Sequence, residues 1–117
     1  MTRTTRSTLA ARGEPLSDNQ LAVLRSMLEE QRSFRIDQLA QLHLPGPHGP
    51  LSSTDPEIFS SLAAGARSAL RDVQSALWRM DEGRYGVCTT CGDTIGLERL
   101  EILPATRLCL PCQRGDA

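Results

Sequence analysis

Four cysteines are the residues of this chain best suited to chemistry. They stand as two pairs, Cys88-Thr-Thr-Cys91 and Cys109-Leu-Pro-Cys112, with residues 92 to 108 between them. That spacing falls in the C-x2-C, 15 to 20 residues, C-x2-C window of a zinc site. Each pair puts two thiolates on one turn of chain. Two such turns facing one another supply the closed tetrahedral sulfur shell of a structural zinc, with no open position for water or substrate. One structural Zn2+ on Cys88, Cys91, Cys109 and Cys112 is therefore expected. Two disulfides fit poorly in a chain with no export signal, and a thioredoxin-like Cys-x-x-Cys would need a βαβ context that is missing. An iron-sulfur cluster remains the alternative, because four thiolates also hold iron.

The elements that must position these thiolates lie upstream. Ser17-Asp18-Asn19-Gln20 fits a capping box, in which the Ser17 hydroxyl and the Gln20 side chain satisfy free backbone donors at a helix start. Leu21, Leu24, Met27, Leu28, Phe34, Leu39 and Leu42 then recur at mostly three- and four-residue steps, predicting one amphipathic helix over 18–43. The stretch 44–56 carries four prolines and two glycines and reads as a loop. A second helix over 56–82 follows, with Thr54 or Asp55 as cap, Pro56 in the first turn and Glu57 at the positive end of the helix dipole. Its apolar positions are Ile58, Leu62, Ala66, Ala69, Leu70, Val73, Leu77 and Met80, and Gly83 suits the left-handed conformation that ends helices.

These readings divide the chain into a disordered tail (1–16), a helical hairpin (17–83) with its tip loop at 44–56, and a four-cysteine zinc finger with a short tail (84–117). The expected fold is mainly α: a long antiparallel coiled-coil hairpin followed by a small finger with little regular structure. Trp78 and Tyr85 fall at the junction and are expected to fill the crevice between the two parts. His43 and His48 flank the Pro-Gly loop without a neighbouring cysteine and are read as solvent-facing rather than as ligands.

Composition narrows the function. Thirteen basic and 14 acidic residues give a net charge of -1, which offers no bulk attraction to nucleic acid or anionic lipid. No apolar run approaches the roughly 20 residues needed to span a bilayer, and residues 1–12 lack a signal peptide's apolar stretch. A cytoplasmic, monomeric protein with a protein partner is the expectation. Paired acid and base groups, a phosphate-binding Gly loop and an open metal position are all missing, which argues against an enzyme.

Ala76-Leu77-Trp78-Arg79-Met80-Asp81-Glu82-Gly83-Arg84-Tyr85-Gly86-Val87-Cys88, then Cys91-Gly92-Asp93-Thr94-Ile95, Arg99-Leu100-Glu101, Leu103-Pro104-Ala105, Leu108-Cys109 and Cys112, resembles the TraR/DksA zinc-finger signature. The close match covers about residues 73 to 113, and the hairpin resembles the family in architecture. The resemblance implies a bacterial transcription regulator that binds RNA polymerase at the rim of its secondary channel, inserts the hairpin toward the active centre and modulates initiation without enzymatic activity. The near-neutral charge, the four aromatic residues and the lack of a long apolar run lead one to expect no membrane association and no direct sequence-specific nucleic-acid binding.

Family tips carry an Asp-x-x-Asp pattern. Asp55 matches its start, Ile58 stands where the second carboxylate falls, and Glu57 lies beside that position but about 100° away around a helix. Asp55 and Glu57 are thus the candidate partner-binding residues. The second helix is roughly three turns shorter than in the best-known member, or ~15 Å of reach. Basic positions by which that member holds ppGpp fall on Asp72, Leu103 and Gln113, none of them basic, so no response to ppGpp through that site is expected. Two other readings stand beside this one: an adaptor or coiled-coil interaction protein, and a zinc module that binds nucleic acid itself.

Overall fold

A computed structural model describes residues 15–42 and 55–115. It contains two long helices, α1 (Asp18–Leu42) and α2 (Pro56–Asp81), then two short ones, α3 (Leu97–Ile102) and α4 (Leu110–Arg114). The molecule is elongated, 67 × 31 × 20 Å. The fold is a helical hairpin carrying a small cysteine-rich finger, as the sequence patterning leads one to expect.

The helix limits have local causes. The capping box forms as read: Gln20 N–H donates to Ser17 Oγ at 3.1 Å and Ser17 N–H to Gln20 Oε1 at 2.8 Å. Leu16 and Leu21 occupy the two positions of a hydrophobic staple, and both pack on the core. Leu16 is therefore ordered, although the tail was expected to run to residue 16; residues 1–14 of that tail lie outside the described residues. At the start of α2 it is Asp55 that caps, its carboxylate accepting from Glu57 N–H at 2.8 Å. Beyond α2, Gly83 takes φ +75 and Arg84 N–H reaches back to Arg79 O at 2.8 Å, which closes the helix in a Schellman-type turn.

The helices run antiparallel, since Arg25 near the start of α1 pairs with Asp81 at the end of α2 at 2.7 Å. Both side chains are substantially exposed, so the pair contributes at most about 1 kcal/mol. Packing comes from one apolar cluster that joins Leu24 and Leu28 of α1, Val73, Ala76 and Leu77 of α2, and Tyr85, Cys88, Ile95, Leu100 and Cys109 of the finger. Leu28, Ala76 and Leu100 are wholly buried. The base of the rod and the finger thus share a core.

Three expectations need correction. Phe34, counted in the apolar stripe of α1, is 60 % exposed, because the stripe drifts off the α2-facing side beyond Leu28. Trp78 does not fill the crevice; it faces outward on α2, 55 % exposed, with the Arg84 guanidinium 4.6 Å from its ring centre. Tyr85 alone fills that space. The finger also has more regular structure than expected, α3 and α4 together with an antiparallel bridge between Val87 and Thr94.

Candidate metal centre

Two turns present the cysteines. The first is a small hairpin in which Ile95 N–H bonds Gly86 O at 2.7 Å, Cys88 N–H bonds Asp93 O at 2.8 Å and Gly92 N–H bonds Cys88 O at 2.9 Å. Gly86 and Gly92 both take positive φ there, a conformation that costs a residue with Cβ about 1–2 kcal/mol. The second turn is the start of α4, where Cys109 is the N-cap and Pro111 stands in the first turn. Thr89 N–H donates to Arg107 O at 2.9 Å and fastens one turn to the other.

Together these place all four Sγ atoms within 4.8 Å of one another. Cys91 Sγ and Cys109 Sγ are 3.7 Å apart, and a tetrahedron with metal–sulfur bonds of about 2.3 Å has edges of about 3.8 Å. None of the four cysteines is joined in a disulfide. Burial pushes the Cys88 thiol up, but the backbone N–H groups of Cys109, Cys91 and Thr90 favour its thiolate and bring it down to about 6. Burial and the neighbouring Cys109, Cys88 and Cys91 raise the Cys112 thiol. Four sulfurs crowded together with backbone donors aimed at them suit a divalent ion. A structural zinc held there would add its binding free energy to the folding of the finger.

Residues 83–116 match the prokaryotic DksA/TraR C4-type zinc finger. The finger is of the DksA/TraR C4 type. A C4 finger of this family carries one structural Zn2+, which decides against the iron-sulfur alternative. The chain is 34 % identical over 64 residues to a protein of Aquifex aeolicus, a match spanning 55 % of this chain and 43 % of that one. It is also 34 % identical over 47 residues to the RNA polymerase-binding transcription factor DksA of Haemophilus influenzae, and 32 % over 47 residues to that of Escherichia coli K12. Each of the two covers 40 % of this chain, and 32 % and 31 % of the respective DksA proteins. The matches thus span less than half of each relative's length. In fold, the chain is similar to transcription factor DksA2 from Pseudomonas aeruginosa, with a TM-score of 0.64 at 24 % identity over 97 % of this chain and 95 % of that one.

The other candidate residues lie apart from the sulfurs. Asp55 and Glu57 are exposed at the opposite end of α2, ~40 Å along the helix from the cysteines. Asp72 and Leu103 line one open hollow of about 710 Å³ between rod and finger, with Glu30, Phe34, Ile102 and Thr106 around it. Gln113 is exposed on α4. His43 and His48 lie outside the described residues.

Sequence reasoning did not anticipate the struts around the finger. Tyr85 Oη donates to Pro104 O at 2.8 Å, and burial pushes its phenol up to about 12. Arg79 is 95 % buried against the finger, donating to Ser75 Oγ at 2.7 Å and to Thr106 O at 3.5 Å. Burial, then Arg107 and Arg84, lower its pKa. Arg99 Nε donates to Leu108 O at 3.0 Å just before Cys109. The one available signal was the helical position of Arg79, on the side of α2 that leads into the finger.

Proposed function

We propose that this protein binds RNA polymerase directly at its secondary channel and modulates transcription initiation. Residues 17–83 form the arm and residues 84–117, with zinc on Cys88, Cys91, Cys109 and Cys112, form the anchor. The observation that carries the reading is a stiff two-helix rod whose base is built into the core of the metal centre. A rod seated in that way holds its far end at a fixed distance from the anchor. Helices α1 and α2, with 25 and 26 residues, reach ~40 Å at 1.5 Å per residue.

Asp55 and Glu57 stand at that far end and are the residues through which the arm acts. The Asp55 carboxylate caps α2 through one bond to Glu57 N–H, and a carboxylate retains further acceptor sites when one is used. Cap and contact are therefore compatible roles. The protein works as a cytoplasmic monomer, and among the described residues no helix is long and apolar enough to cross a membrane. With Asp72, Leu103 and Gln113 where basic residues would be needed, its effect does not depend on ppGpp at the rim.

Initiation assayed with the host's purified polymerase, with and without the zinc-loaded protein, tests this reading. The expected result is a changed yield from responsive promoters that Asp55→Asn removes, because Asn caps a helix as well as Asp but carries no charge. Addition of ppGpp should leave the size of the effect unchanged. An effect that survives Asp55→Asn in full overturns the tip assignment, and potentiation by ppGpp overturns the proposed independence from it.

A further inference from the structure

We propose that the outward face of α2, formed by Arg67, Arg71, Gln74 and Trp78 together with Arg84, docks a carboxylate-rich protein segment. Resting on the reading above, that segment belongs to RNA polymerase. At 100° per residue the four helical positions fall within an arc of about 60°, well round the helix from Val73, Ala76 and Leu77 in the core. All four are exposed. The face runs ~16 Å from Arg67 to Trp78.

Its guanidinium groups outnumber the acids beside it, since Asp81 is held by Arg25 and the exposed Glu82 follows one turn after Trp78. Between Ile58 and Met80 the one acidic residue is Asp72, about 130° away around the helix. Among the described residues the ion pair that forms is Arg25–Asp81, and Arg67, Arg71 and Arg84 have no carboxylate partner. Guanidinium groups in this state match carboxylates through paired hydrogen bonds. The exposed indole supplies apolar area beside them, with Arg84 already stacked on it. Trp and Arg are the residue types concentrated at interface hot spots.

A protein segment fits this face better than nucleic acid does. Single-strand binders present a series of stacking aromatics along a basic track, and Trp78 is the one aromatic here. The net charge of -1 also gives no long-range attraction for a polyanion.

The test uses the full-length zinc-loaded chain and core polymerase from its own host. The double variant Arg67→Glu/Arg71→Glu should weaken binding at least about tenfold, and Trp78→Ala should weaken it several-fold. Arg32→Glu, an exposed change on α1, should leave it within about twofold. Zinc content and helical circular dichroism establish that each variant folds. A photocrosslinking residue at position 74 should join to an Asp- and Glu-rich polymerase segment. Unchanged binding of the double variant, with no adduct from position 74, overturns the proposal while polymerase binding by the unaltered chain still stands. If the unaltered chain does not bind, the functional reading fails and the named occupant with it. Retention of a single-stranded oligonucleotide by the free protein, abolished in the double variant and weakening steeply with salt, would make the occupant nucleic acid and also overturn the proposal.

Discussion

The two halves of the helical rod are held together differently. On the finger side, Leu24 and Leu28 of α1 meet Val73, Ala76 and Leu77 of α2, and the cluster continues into Tyr85, Ile95 and Leu100. On the tip side, residues 29–41 of α1 bury no side chain fully; among the described residues Leu42, Ala63 and Ala66 are the buried contacts there. Most of the large buried aliphatic side chains and the metal centre thus share one end, while the other closes on Leu42 and two alanines. Apolar burial at about 25 cal/mol per Å² makes the first arrangement much the stronger. The rod is anchored at its base, and its outer half should open locally at lower free energy than the base.

Metal removal should break this comparison most completely. Structural zinc supplies on the order of 10 kcal/mol or more to small fingers, comparable with the whole stability of a domain. Chelation is therefore expected to unfold residues 84–115 and loosen the base of the rod, read as loss of amide-exchange protection around Leu24, Leu28 and Leu77. Next in size, Leu28→Ala empties a wholly buried site and should cost about 2–5 kcal/mol in denaturant unfolding. Phe34→Ala, on the exposed outer half, should cost under about 0.5 kcal/mol. Equal losses from the two would abolish the distinction.

Smaller effects sharpen it within the finger. Gly86 is buried at φ +85, and a Cβ there would lie 3.5 Å from Leu16 Cδ1 and 3.6 Å from Leu100 Cδ1. The space suffices but the backbone does not suit an L residue, so Gly86→Ala should cost about 1–2 kcal/mol in thermal unfolding. Tyr85, the chain's one tyrosine, should ionise near pH 12 rather than 10 in an ultraviolet titration of the folded protein. Because the folded value is raised, its stabilisation is complete below pH 10 and is lost as the pH climbs toward 12. Tyr85→Phe should remove that alkaline loss along with the bond to Pro104 O, at a cost of about 1 kcal/mol near neutrality.

Much of this is legible in the amino-acid sequence. The cysteine spacing, the Ser17–Gln20 capping box and the stop at Gly83 are local signals, each set by a few neighbouring residues. Periodicity located both helices for the same reason. It failed for Phe34 and Trp78 because a stripe marks an apolar face without saying how far the partner helix, or the finger, extends along it. Arg79 was harder to read: its helical position leads into the finger, but a charged side chain on a helix reads as solvated, and only the folded finger turns that position into a buried strut. The metal site needed the four cysteines alone; the struts from Tyr85, Arg99 and Thr89 to backbone carbonyls depend on how the chain returns between the two pairs.

The most direct measurement is equilibrium binding of the zinc-loaded protein to core RNA polymerase from its own host, repeated with a DksA protein as competitor. Saturable binding that the competitor displaces is the expected result, and it would put the rod and finger at the secondary channel. Failure to bind, or binding that the competitor leaves unchanged, would contradict the proposed function and leave a family fold serving another partner or another site.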